Sequence, residues 1–96
     1  MAADPTNAIE ALLVETQEAH GVFETTQLDG VYDEAWPAWY AAYAVDHGLG
    51  TVLGRDVTAA RLAEFLARTN EDLERSDPRP TDSWATYTAR RIAAEL

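Results

Sequence analysis

Apolar residues recur every three or four positions at the start of the chain, which is the period of an amphipathic helix. Asp4-Pro5 is typical of a helix start, with an N-cap followed by proline in the first helical position. The apolar arc of this predicted first helix contains Ile9, Leu12, Leu13, Thr16, His20 and Phe23. The period is lost around "TTQLDGVYD", where Asp29-Gly30 predicts a turn.

Three more helices are predicted after this turn. The second begins between Asp33 and Pro37 and ends at His47-Gly48, because glycine is common just past a helix end. The connector "GLGTVLGR", with at most one short helical turn, leads to a third helix with Thr58 as its N-cap. The fourth helix follows "SDPRP", begins at "TDS" and runs to the chain end. No segment alternates with a period of two, so we expect no sheet.

The two halves of the chain resemble each other. "LLVETQEAH" from Leu12 aligns with "FLARTNEDL" from Phe65 at an offset of 53 residues. "WPAWYAA" from Trp36 aligns with "WATYTAR" from Trp84 at an offset of 48 residues. The alternative is a chance likeness of amphipathic helices, but the shared features include uncommon residues as well as the helical period. This favours a duplicated helical hairpin.

The predicted fold is therefore a single all-α domain over residues 1–96. Two similar antiparallel hairpins, residues 5–48 and 58–96, are expected to form a four-helix arrangement about a pseudo-two-fold axis. Helices one and three are equivalent in the repeat and should pack as neighbours across that axis. Their equivalent residues Glu15 and Arg68 should then lie on the same side of the contact.

Four aromatic residues of the second helix fall within an arc of about 100° on a helical wheel, the width of a core-facing stripe. They are Trp36, Trp39, Tyr40 and Tyr43. The simplest interpretation is a core completed by Trp84 and Tyr87 of the second hairpin. The alternative is an aromatic pocket between the hairpins, in which rings and nearby acids such as Asp33 bind a cation or a flat ligand.

The opposite face of the second helix is also apolar, with Ala38, Ala41 and Val45, and no charged residue occurs from Ala35 to Val45. A helix that is apolar all round is normally covered all round, whereas a four-helix domain covers mainly one side. This pattern predicts a second partner surface. A homodimer is the simplest form of it, and another protein is the alternative.

Few residues suggest a catalytic or ligand-binding role. Arg91 takes the place of Tyr43 in the repeat and is expected to pair with Glu95, or else to capture an anionic group. His20 is interpreted as a hydrogen-bonded residue at the core edge, with a ligand or catalytic role as the alternative, and His47 suits a helix end. The chain has no cysteine and no Glu-x-x-His pair, so no metal, cofactor or catalytic residue is predicted.

The charge is strongly negative, −10 in all, and residues 1–54 hold nine of the 17 acids and none of the seven basic residues. Such a surface repels phosphate backbones and anionic membranes, so we expect neither nucleic acid nor membrane as a partner. The start "MAADPTNAIEALL" lacks the pattern of a secretory signal, which favours a cytoplasmic location.

The stretches "ETQEAHGVFE", "GVYDEAWPAWYAAY" and "WATYTARRI" resemble a family of small bacterial all-helical proteins of unknown function. The resemblance implies a helical fold and no particular activity. From the residues themselves we predict a non-catalytic interaction or oligomerisation module. The alternative is a small-ligand binder that uses an aromatic pocket lined by Trp36, Trp39, Tyr40, Tyr43, Trp84, Tyr87, Arg91 and His20.

Overall fold

Helices make up most of the structure, a computed structural model that describes residues 5–31, 33–76 and 81–96. Five α-helices occur in these ranges, and no β-strand is found among them. The prediction of an all-α protein is therefore confirmed. None of the helices in the described ranges is long and apolar enough to cross a membrane.

Helix α1 spans Thr6–Gln27 and turns one face inward. The predicted N-cap, Asp4, lies outside the described residues. The buried face consists of Ile9, Leu13, Thr16 and His20. The hydroxyl of Thr16 donates a hydrogen bond to the carbonyl of Leu12 at 2.7 Å, which allows this polar side chain to be buried.

The predicted Asp-Gly turn follows α1. Asp29 and Gly30 adopt positive φ values of 52° and 79°, a region that glycine and, less readily, aspartate tolerate. The carbonyl of Glu24 accepts hydrogen bonds from the N–H groups of Leu28 and Gly30, at 3.2 and 2.8 Å. These bonds close the last turn of α1 and reverse the chain toward the next helix.

Helix α2 spans Trp36–Asp46, with Pro37 in its first turn, where a missing N–H is tolerated. Gly48 has a φ of 105° and ends the helix as predicted. The connector then forms one short helix, α3 (Leu49–Leu53), which Gly54 closes at a φ of 75°. The short helical turn that the sequence allows in the connector is therefore formed, as a fifth helix of the described residues.

Polar N-caps begin the last two helices at the predicted places. Helix α4 spans Ala59–Arg75, and the hydroxyl of Thr58 accepts a hydrogen bond from the N–H three residues later at 3.2 Å. Helix α5 spans Trp84–Glu95, and Ser83 makes the equivalent bond at 3.2 Å. Each cap satisfies an N–H group that has no partner within its helix.

The long helices pack in two main pairs, α1 with α5 and α2 with α4. Helix α1 also packs on α2, and α4 on α5 less extensively. Among the described residues, contact between α1 and α4 is marginal at most. The prediction that these two helices are neighbours, with Glu15 and Arg68 beside their contact, is therefore wrong. Instead, α1 meets α5 and α4 meets α2, which are not equivalent helices in the predicted repeat. The guanidinium of Arg68 lies over the ring of Phe65.

The alanine side of α2 is covered by the chain itself. Ala41 and Ala44 have no exposed surface, Val45 is partly buried, and only Ala38 of the predicted outer face is exposed. Since the aromatic side of α2 meets α1, the buried alanines face α4, and their small size allows a close approach of the two helices. The face that suggested self-association therefore needs no second molecule to cover it.

Candidate functional site

Aromatic rings form a continuous cluster that joins α1, α2 and α5. Neighbouring ring centroids lie 3.8 to 6.3 Å apart, mostly in edge-to-face or tilted arrangements that favour ring packing. The cluster consists of His20, Phe23, Trp36, Trp39, Tyr40, Tyr43, His47 and Trp84. It therefore connects the two predicted hairpins, as both the core and the pocket interpretations require.

Three rings make the connection to α5, and they stand nearly perpendicular to one another. Trp84 lies 5.8 Å from Trp36 and 5.5 Å from Tyr40, at interplanar angles of 81° and 88°. Trp36 and Tyr40 lie 5.1 Å apart at 72°. None of the three is fully buried. They form an aromatic corner that reaches the protein surface.

His20 lies next to this aromatic corner and is 5% exposed. Its Nε2 donates a hydrogen bond to Asp33 Oδ2 at 2.9 Å, and its Nδ1 lies 3.5 Å from Glu24 Oε1. The ring also contacts Trp39 and Tyr40 at 5.0 and 4.9 Å. Through its bond to Asp33, His20 joins α1 to the segment that precedes α2.

The carboxylates around His20 are held in place by the backbone. Asp33 Oδ1 accepts a hydrogen bond from the N–H of Ala35 at 2.9 Å, and Glu24 Oε2 accepts one from the N–H of Asp33 at 3.4 Å. The bond from His20 holds the pKa of the Asp33 carboxyl below its ordinary value, and burial opposes this shift less strongly. Asp33 is therefore ionised at neutral pH.

An open cleft of about 360 Å³ adjoins the aromatic corner. Residues of α1, α2, α4 and α5 contribute to its walls, so it lies where the four long helices meet. A space of this size accommodates a small organic molecule. The lining residues are Gln17, His20, Glu24, Trp36, Tyr40, Asn70, Glu74 and Trp84.

The charges of the cleft are negative. Glu24 and Glu74 contribute carboxylates, and no lysine or arginine is among its described lining residues. Asn70 Nδ2 donates a hydrogen bond to Glu74 Oε1 at 3.3 Å, which orients that carboxylate. Burial, and then the charge of Glu24, raise the pKa of Tyr40, so its phenol stays neutral at neutral pH. The cleft therefore combines ring surfaces with a negative potential.

A second, apolar depression lies on the outer side of α2. The rings of Trp39, Tyr43 and His47 stack nearly in parallel, with centroid distances of 5.5 and 3.8 Å. His47 Nδ1 donates a hydrogen bond to the carbonyl of Tyr43 at 2.9 Å, which gives the imidazole the helix-end role expected from the sequence. Ala42 and Asp46 complete the lining.

Like Trp39 and Tyr43, two more of the predicted pocket residues lie outside the cleft. Arg91 donates hydrogen bonds to Glu95, to the phenol oxygen of Tyr87 at 2.7 Å and to Asp72 at 3.1 Å. These bonds, above all the one to Glu95, raise the pKa of Arg91 above its ordinary value. Arg91 is therefore paired across the α4–α5 contact, and neither it nor Tyr87 lines the cleft.

The structure brings six of the eight predicted site residues into the ring cluster, and His20, Trp36, Tyr40 and Trp84 line the cleft. Sequence reasoning missed the other four lining residues, which are Gln17, Glu24, Asn70 and Glu74. Glu24 follows His20 by four residues, a spacing that places both on one helix face. Gln17 and Asn70 align at the 53-residue offset between the two halves, so the predicted repeat contained a signal for them.

The described residues contain no group of three or more His, Cys, Asp or Glu side chains that is arranged to hold a metal ion. Comparison with known proteins gives no match, since no protein family, no curated protein and no solved structure matches the chain.

Proposed function

We propose that the protein is a non-catalytic binding domain and that its ligand site is the cleft between the two hairpins. One observation carries this proposal: the rings of Trp36, Tyr40 and Trp84 are left partly open to solvent at a concave site that also holds Glu24 and Glu74. Small-ligand sites combine apolar and aromatic walls with a few polar groups in this way. The covered alanine side of α2 removes the argument that had favoured an oligomerisation module.

Binding is favoured over catalysis because the candidate reactive groups already have structural partners. Both nitrogens of His20 face carboxylates. The hydroxyl of Ser76 donates to the carbonyl of Asp72 at 2.9 Å, and that of Ser83 caps α5. A nucleophile with an adjacent general base, which acyl transfer needs, is therefore not formed by these residues.

We further infer that the two hairpins are copies of one unit. In the repeat α1 is equivalent to α4 and α2 to α5, so the contact of α1 with α5 is equivalent to the contact of α4 with α2. These two are the most extensive helix–helix contacts among the described residues. Fully buried positions also correspond at the 53-residue offset. Ile9, Leu13 and Thr16 of α1 match Leu62, Leu66 and Thr69 of α4.

The repeat supports the choice of the cleft as the site. Trp36 and Trp84 are equivalent at the 48-residue offset and are in ring contact. Gln17 and Asn70 are equivalent at the 53-residue offset and line the same cleft. Residues related by a two-fold axis meet only near that axis. The cleft therefore lies on the inferred pseudo-axis, where a duplicated protein gains a shared concave surface.

A protein interface is the second candidate function, and a different surface favours it. The stack of Trp39, Tyr43 and His47 lies beside the exposed Ala38 and Ala42 on the outer side of α2. Light scattering at micromolar concentrations tests this candidate as a homodimer. A dimer that Tyr43→Asp converts to a monomer supports it, and a monomer at every concentration removes it.

We also propose that the protein is cytoplasmic and that it belongs to the family of small bacterial helical proteins that the quoted motifs resemble.

The binding function is tested by adding three probes of different charge to isotope-labelled protein and following its N–H correlation spectrum. The probes are choline, benzoate and indole, each at up to millimolar concentration. We expect at least one of them to produce saturable shifts at the amides of His20 and Asn70, with Arg61, outside the cleft, as the reference. Spectra that no probe changes at the cleft would remove the proposed function.

A further inference from the structure

We infer that the ligand of this cleft is an organic cation of the alkylammonium class, enclosed by the corner of Trp36, Tyr40 and Trp84 and neutralised by Glu24 and Glu74. This inference rests on the proposed binding function and adds the chemical class of the ligand. Two features of the cleft, the orientation of its rings and the sign of its charges, lead to it independently.

The orientation of the rings suits a rounded group. The planes of Trp36, Tyr40 and Trp84 meet at angles of 72°, 81° and 88°, so the three rings that line the cleft face different directions. A flat ligand stacks on one ring and leaves the other two unused. A tetrahedral ammonium with its methyl groups contacts all three, and the negative potential of each ring face attracts its charge.

The charges select a cation. Glu24 of α1 and Glu74 of α4 both line the cleft, and Asp33 adds a third carboxylate that is bonded to His20. Any positive charge on His20 is offset by the carboxylates at 2.9 and 3.5 Å from its two nitrogens. Carboxylates at a site repel an anionic ligand and attract an ammonium.

The matched pair of choline and dimethylbutanol tests the charge. In dimethylbutanol a carbon atom replaces the quaternary nitrogen, so shape is kept and charge is lost. Calorimetry on the full chain should give choline the higher affinity by on the order of tenfold, and added salt should reduce the difference. If dimethylbutanol or benzoate binds the cleft as tightly as choline, the cation class is wrong while the binding function stands. If none of them, nor indole, binds the cleft, both proposals fall.

Carboxamide variants locate the charge. Glu24→Gln and Glu74→Gln should each weaken choline binding several-fold and leave dimethylbutanol binding unchanged. Glu18→Gln and Glu64→Gln remove the same charge from exposed positions of α1 and α4 outside the cleft and serve as controls. Equal losses in the controls and the cleft variants would overturn the assignment of the site. Glu24→Gln also alters the contacts of His20, so Glu74→Gln is the decisive variant if Glu24→Gln unfolds.

Discussion

Replacement of Thr88 by valine should stabilise the protein, although Thr88 is a buried residue of α5. Its side chain has no exposed surface, and its hydroxyl oxygen has no hydrogen-bond partner among the described residues. A buried hydroxyl without a partner costs about 1–3 kcal/mol relative to one that water can reach. Valine has nearly the same shape with a methyl in place of the hydroxyl. We therefore expect the free energy of unfolding to rise by about 1–2 kcal/mol.

Thermal and urea unfolding followed by circular dichroism measure this change. In a domain of this length, each kcal/mol raises the midpoint temperature by about 4–8 °C. The slope of the urea transition should not change, because the substitution leaves the surface exposed on unfolding nearly the same.

Thr16→Val is the matched control. Thr16 also has no exposed surface and lies within a helix, but its hydroxyl donates a hydrogen bond to the carbonyl of Leu12. Thr16→Val loses that bond, so its free energy of unfolding should fall by about 0.5–1.5 kcal/mol. The change in helix propensity from threonine to valine is the same in both variants. The reasoning is refuted if Thr88→Val melts at or below the wild-type temperature and the two variants behave alike.

Three further predictions follow from the contacts of the site. Trp39→Ala should lower the free energy of unfolding by about 3 kcal/mol, because the ring of Trp39 contacts four other rings. It should leave the affinity for choline within about twofold, and thermal unfolding and calorimetry measure the two effects. Arg91→Met should lower stability by about 1 kcal/mol by leaving Asp72 without its partner, with unchanged choline binding. The pKa of Asp33 is lowered in the folded state, so its carboxylate stabilises the fold above its ordinary pKa, and this contribution is lost as the pH falls through the folded-state pKa. Melting temperatures measured from about pH 6 down to about pH 3 should therefore fall less steeply for Asp33→Asn than for wild type, and equal slopes would argue against the His20–Asp33 bond.

Local signals predicted the helices well. The N-cap of α4 at Thr58 and the glycine end of α2 at Gly48 depend on hydrogen bonds and backbone angles within a few residues. Such short-range requirements can be identified in the sequence because no distant partner is needed to meet them.

The pairing of helices could not be predicted in the same way. The predicted repeat suggests which positions are equivalent, but a two-fold axis would be compatible either with α1 beside α4 or with α1 beside α5. Packing decides between them, and the small Ala41 and Ala44 give α2 a second buried side against α4. The apolar pattern of this helix indicates a second covered side, but it does not tell whether another helix of the same chain or another molecule covers that side.

The candidate site was predicted in part for a similar reason. The aromatic residues of α2 stand out from their spacing, and Trp84 from the repeat. Glu74 lies at the cleft with these residues because α4 packs against α2. Arg91 does not line the cleft, because its guanidinium donates hydrogen bonds to Asp72 and Glu95 at the α4–α5 contact.

The central claim is that the cleft among the four long helices binds an alkylammonium ion. The indole N–H signals of the three tryptophans in the N–H correlation spectrum test this claim most directly. Trp36 and Trp84 line the cleft, whereas Trp39 lines the outer depression and serves as an internal reference. Choline should shift the signals of Trp36 and Trp84 in a saturable manner with one common dissociation constant, and the signal of Trp39 should move far less. Unchanged Trp36 and Trp84 signals at millimolar choline, or a shift confined to Trp39, would contradict the account.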